Sequence, residues 1–128
     1  LILALLRQIS INDRRMHQGQ WIKQGGTSLY GKTVGIVGCG AIGSCVAKLS
    51  RAFGCHVLLC DLVDKKELAQ SLSGEIVSYE ELLKRADVVT FHVPLTPLTR
   101  HMLNKNTLTL MASHGVVINT SRGSKTLG

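Results

Sequence analysis

Apolar residues at Ile2, Leu5, Leu6 and Ile9 recur at helical spacing, which predicts one amphipathic helix over residues 1–18. Gly19, Gly25 and Gly26 break that pattern, with Trp21 between them read as a packing anchor. Beyond residue 27 the period changes. Short apolar runs at Thr33–Val37, 57–60, Val88–Phe91 and Val116–Asn119 are bounded by turn residues and predict strands, with a briefer one at Ile76 and Val77. Longer segments between them predict helices. One covers 42–53 and stops at Gly54, and a short one covers 64–72. Another runs from a Ser78/Glu81 capping box to about Arg85, and a last one lies near 104–111.

Strands that are apolar throughout, alternating with helices, imply a parallel sheet covered on both faces: an α/β, doubly wound fold. Residues 1–27 then form a lead-in helix and linker, and 28–128 the sheet domain. Ligands of such sheets lie beyond the carboxyl ends of the strands. That rule singles out the glycine turn after Val37, the residue after Cys60, the loop after Phe91 and the loop after Asn119.

The first of these loops carries the sharpest signal. Gly38, Gly40 and Gly43 stand in G-x-G-x-x-G spacing between an apolar strand and a helix. The spacing alone is weak evidence in a chain with 13 glycines. Its context makes it specific, because Asp61 ends the next strand at the distance a dinucleotide site requires. Gly38 permits the sharp turn, Gly40 lets backbone approach a pyrophosphate, and Gly43 lets helix pack on strand. The helix start at Ala41 and Ile42 offers free N–H groups and a favourable dipole to that anion. A carboxylate at Asp61 accepts hydrogen bonds from an adenosine ribose and repels a 2′-phosphate, so NAD is expected over NADP. Lys65 and Lys66 are read as a solvated helix face.

Composition narrows the class further. A chain of 128 residues buries one core, about two-thirds of its unfolded surface. Its 15 Lys+Arg against 8 Asp+Glu leave a charge of +7, which favours anionic ligands. Basic residues are scattered and aromatics make up only 4%, which argues against nucleic acid. The opening apolar run is too short to span a membrane and leads straight into Arg7. Cys39, Cys45, Cys55 and Cys60 form no C-x-x-C pair or metal-ligand spacing, and are expected in or beside the core. Reduced thiols of that kind suit a cytosolic or organellar interior, and a cytoplasmic location is expected.

The remaining loops read His92-Val93-Pro94-Leu95-Thr96-Pro97-Leu98-Thr99 and Asn119-Thr120-Ser121-Arg122-Gly123. Together with the glycine turn and Asp61, they closely resemble the D-isomer-specific 2-hydroxyacid dehydrogenases. Three stretches carry the likeness, at 34–61, 82–104 and 111–123, and the lead-in with Arg7 and Trp21 extends it over nearly the whole chain. The resemblance implies an NAD-binding domain of an oxidoreductase that interconverts 2-hydroxy and 2-oxo acids. It places Val93, Pro94, Thr99, Thr120 and Ser121 near the nicotinamide half, with His92 shaping the loop beside the cofactor. It makes Arg122 the catalytic arginine, a fork suited to bidentate binding of a substrate carboxylate. His17, His56, His101 and His114 match no motif and are read as surface or packing residues.

The same resemblance implies what the 128 residues do not contain: a histidine–glutamate pair for proton transfer, a substrate-binding domain and a sixth strand. The chain is therefore expected to be a partial domain that binds NAD(H) without turnover, and the intact protein is expected to be a homodimer. After Gly123 the family continues with apolar residues and an acid, whereas here Ser124-Lys125-Thr126 follows. A non-catalytic, NAD(H)-sensing interaction protein of the corepressor type is the alternative.

Overall fold

The computed structural model describes residues 1–23 and 25–121. The lead-in forms two helices, α1 (Ile2–Leu6) and α2 (Ile9–His17), rather than the single helix expected. Gln8 adopts the left-handed conformation at φ 53° and interrupts the ladder. The physical reason lies in Leu6. Its side chain packs into the core, and its carbonyl accepts the Thr27 N–H at 2.9 Å, which ties the chain to the linker at the point where the helix breaks. No residue of α2 is buried.

Alternation follows as the pattern predicts: β1 (Thr33–Val37), α3 (Ala41–Ala52), β2 (His56–Cys60), α4 (Lys66–Ser71) and β3 (Glu75–Ile76). Then come α5 (Tyr79–Arg85), β4 (Val88–Phe91), α6 (Lys105–Leu108) and β5 (Val116–Asn119). Helix α3 ends at Ala52 with Phe53 as its C-cap, and Gly54 beyond it takes φ 80°. Ser78 caps α5 by accepting the Glu81 N–H at 3.2 Å. Helix α6 is shorter than expected. Asn104 caps it with a full box in which the Thr107 hydroxyl accepts the Asn104 N–H at 2.8 Å.

The five strands form one parallel sheet in the order β3-β2-β1-β4-β5. That is the doubly wound arrangement, with its topological switch between β1 and β4. One face buries Val34, Ile36, Val57, Leu59 and Val88 around Ala47 of α3. The other buries Val37, Leu58, Val89 and Phe91 against Leu82 and Leu83 of α5. Register then positions the site. Val37 pairs with both Cys60 and Phe91, and Phe91 with Asn119, so four strands end level and their loops emerge side by side.

Two further expectations need correcting. Trp21 is 78% exposed, so it anchors no packing among the described residues. Cys45 is exposed on α3, whereas Cys39 and Cys55 are buried and Cys60 is half-buried.

Candidate functional site

The glycine turn is built around three distinct requirements. Gly38 sits at φ 90°, and a Cβ there would lie 2.7 Å from the Val93 side chain and 2.8 Å from the His92 carbonyl. A Cβ on Gly43 would run into the Gly38 carbonyl oxygen, so α3 reaches its place only with glycine there. Around Gly40 there is nothing within 4 Å, which leaves the open approach a pyrophosphate needs. Gly40 is the N-cap of the twelve-residue α3, and no side chain caps that helix. Its first N–H groups are therefore available to an anion.

Asp61 braces this turn from the end of β2. Its Oδ2 accepts the Cys39 N–H at 2.6 Å, and its Oδ1 accepts the Val63 N–H at 3.0 Å. Burial works to raise the carboxyl pKa, but these two N–H groups, with Lys65, hold it below the usual 3.8. Each carboxylate oxygen keeps a second lone pair, so a ribose hydroxyl can still be accepted. The neighbouring thiols are inert by the same physics. Burial and the Asp61 charge push Cys39 up to about 11 and raise Cys60 as well. Cys39 is thus a buried filler of the turn, its backbone carbonyl held by the Ser44 hydroxyl at 2.9 Å.

The loop after β4 closes the other side. Thr99 is buried, and its hydroxyl donates to the Pro94 carbonyl at 2.5 Å while accepting the Thr96 N–H at 2.8 Å. His92 anchors the start of this loop: its N–H donates to the Val37 carbonyl at 2.8 Å, and its Nε2 lies 2.9 Å from the Thr90 hydroxyl. Burial lowers the His92 pKa, which leaves the ring neutral at pH 7.

Between turn and loop lies a cleft of about 440 Å³. Of the residues singled out from sequence, it brings together Gly38, Gly40, Asp61, His92, Val93, Pro94 and Thr99. Ala41 and Ile42 open α3 directly after Gly40, exposed and outside the cleft lining, and Gly43 is buried beneath Gly38. Ile42 and Thr120 line a second, apolar groove of about 390 Å³ that shares only His92 with the cleft. Ser121 folds back on Asn119, donating its N–H to Oδ1 at 3.0 Å. Arg122 lies outside the described residues. Cleft residues not anticipated include Cys60, Val63, Leu98 and Met102. Their loop positions beside Asp61 and Thr99 were the available signal, but apolar side chains carry no chemical mark.

Comparison with known proteins agrees with this geometry. Residues 1–126 match the model of the D-isomer specific 2-hydroxyacid dehydrogenase NAD binding domain, and the chain belongs to that family. It is 40% identical over 126 residues to the D-3-phosphoglycerate dehydrogenase of Methanocaldococcus jannaschii, covering 96% of this chain and 24% of that protein. It is 38% identical over 133 residues to a glyoxylate reductase of Thermococcus litoralis, covering 97% and 40%. A similar solved structure is the NAD-complexed D-isomer specific 2-hydroxyacid dehydrogenase of Lactobacillus delbrueckii ssp. bulgaricus. Its TM-score is 0.88 at 31% identity, with 98% of this chain and 38% of that one covered. The chain thus spans between a quarter and two-fifths of these relatives' lengths. Their names are those of dehydrogenases and reductases, and none supports the corepressor alternative.

Proposed function

We propose that this chain is the cofactor-holding part of an oxidoreductase that interconverts D-2-hydroxy acids and 2-oxo acids. The observation that carries it is the cleft in which the open Gly40 turn, the uncapped α3 and the braced Asp61 face the His92–Thr99 loop. Bound there, NAD(H) supplies a hydride acceptor or donor. The chain's own residues bind and orient. The α3 N-terminus takes the pyrophosphate, Asp61 takes the adenosine ribose, and Val93, Pro94 and Thr99 wall the nicotinamide half. Thr120 and Ser121 flank that half from β5. Arg122 holds the substrate carboxylate and polarises the adjacent oxo group.

Small 2-oxo acids such as the glyoxylate of the named relatives are the substrate class. Proton transfer needs an acid–base pair, and within the cleft the ring of His92 meets the Thr90 hydroxyl rather than a carboxylate. The 128-residue chain therefore binds cofactor without turnover. Exposed Leu3, Leu5, Ile9 and Ile11 on α1 and α2 favour pairing of two copies in the intact protein, and four free cysteines favour the cytoplasm. Calorimetric titration of the chain with NADH and NADPH tests the assignment. Saturable NADH binding, weaker for NADPH and roughly a hundredfold weaker in Asp61→Ala, is expected. Turnover of glyoxylate or hydroxypyruvate by the purified chain would overturn the division of labour.

A further inference from the structure

His92 occupies a position that cofactor geometry alone does not account for. It is the residue common to the dinucleotide cleft and the apolar groove beside it. In the doubly wound order, the adenosine half lies towards β2 and the nicotinamide half crosses the β1–β4 switch point, where His92 begins its loop. Among the described residues the ring has one hydrogen-bonding partner, the hydroxyl of Thr90, itself buried in the middle of the sheet. A hydroxyl can donate to a neutral imidazole nitrogen or accept from a protonated one. The ring is therefore held in place in either protonation state.

We propose that His92 discriminates between the oxidised and reduced cofactor by charge, as a specificity-determining residue that rests on the assignment of the cleft above. The nicotinamide ring carries a positive charge in NAD+ and none in NADH. A neutral imidazole beside it accommodates both. An imidazolium repels the oxidised form only, so acid selects NADH, the form that reduction of a 2-oxo acid consumes together with a proton. Burial supports the assignment by keeping the ring neutral at pH 7 and placing its titration below the ordinary 6.5.

On the cleft side the surrounding groups keep their charge. From β2 and its loop the cleft receives Cys60, Asp61 and Lys65, and from the turn the buried Cys39 lies behind it. Asp61 stays charged and both thiols stay protonated from pH 8 to 5.5. On the groove side, α3 offers Ile42, β5 offers Ile118 and the loop after β5 offers Thr120, none of them titratable, while the amino terminus at Leu1, ahead of α1, is present equally in the His92→Gln control. Arg122, outside the described residues, is a cation at every pH and contributes a constant. Pyrophosphate and adenosine are shared by both forms of the cofactor, so the ratio of their affinities cancels everything but the nicotinamide charge.

The test is calorimetric titration of the chain with NAD+ and with NADH at pH 8, 7, 6 and 5.5. The ratio of the NAD+ to the NADH dissociation constant is expected to rise as pH falls into the His92 titration, because like charges repel. In His92→Gln it is expected to stay flat. A flat ratio in the unaltered chain, with NADH still bound at pH 8, would overturn the inference alone. No NADH binding at pH 8 would overturn the cleft assignment and the inference with it. Ring-proton NMR of the unaltered chain checks the reciprocal effect, which linkage requires. The His92 titration midpoint is expected lower with NAD+ bound than with NADH, and equal midpoints would overturn the proposal without any variant.

Discussion

The Cys39 N–H meets Asp61 Oδ2 at 2.6 Å, tying the middle of the glycine turn to the end of β2. Asp61 is therefore both a ligand group and a brace for the backbone that receives the pyrophosphate. Removing it subtracts two charge-assisted hydrogen bonds within the protein as well as those to ribose, each worth about 1.5–3 kcal/mol. Asp61→Ala is expected to weaken NADH binding by roughly a hundredfold. Asp61→Asn keeps an acceptor for Cys39 while losing the charge, so it is expected to bind NADH about tenfold more weakly and to discriminate less against NADPH. Calorimetry on the three proteins separates the two roles. Equal loss in both variants would leave the charge as the whole contribution.

Gly40 and Gly43 sit three residues apart in one turn, yet their substitutions are expected to fail in different ways. A methyl group on Gly43 strikes the Gly38 carbonyl, so Gly43→Ala must displace α3, at about 1–3 kcal/mol. A methyl group on Gly40 meets nothing in the protein. Gly40→Ala is expected to melt within a degree or two of the parent while losing NADH affinity, because the obstruction appears only when ligand arrives. Thermal melts with and without NADH distinguish them. A strongly destabilised Gly40→Ala would contradict the open space.

Thr99 illustrates a residue whose role changes once its hydroxyl is located. The resemblance sets it beside the nicotinamide, but the hydroxyl turns inward to Pro94 and Thr96 and ties the 94–99 loop into its shape. Thr99→Val leaves a buried carbonyl and N–H short of a partner and is expected to cost about 1–3 kcal/mol. NADH affinity is expected to fall alongside, and Thr99→Ser to restore both. Denaturant unfolding paired with titration checks this, and a Ser variant as poor as Val would make the methyl group, not the hydroxyl, responsible.

What was legible in the chain was local. Strands β1, β4 and β5 run over the residues their apolar spacing marks, and G-x-G-x-x-G with Asp61 located the cleft, because turn chemistry and strand ends leave residue-type signatures. What escaped was tertiary. Nothing in the helical spacing of Ile2 to Ile9 announces that the Leu6 carbonyl will meet Thr27 or that Gln8 will turn left-handed after α1. Trp21 read as an anchor because large aromatics are commonly buried, and its exposure depends on what the lead-in packs against. The Asp61–Cys39 bond joins residues 22 apart, and the inward Thr99 hydroxyl depends on the path of its loop. Spacing rules do not reach that level.

Asp87 makes the opposite end of the sheet pH-sensitive. Its Oδ2 accepts the Thr33 N–H at 2.8 Å and its Oδ1 lies 3.0 Å from His114 Nε2, joining the start of β1 to the turn before β5. Burial alone would raise its pKa, but the Thr33 N–H, His114 and Lys32 outweigh it and hold the carboxyl below the usual 3.8. The unfolded chain therefore takes up a proton at higher pH than the folded one does. The stability this charge contributes is fully present above about pH 4 and drains away as pH falls through the folded-state value. Asp61, lowered in the same direction, adds to the trend. Asp87→Asn keeps an oxygen for Thr33 and removes only the charge. Its stability deficit in urea is expected to be largest at pH 7 and to close as pH drops towards 2. A deficit that stays constant with pH would show that shape, not charge, is what Asp87 supplies.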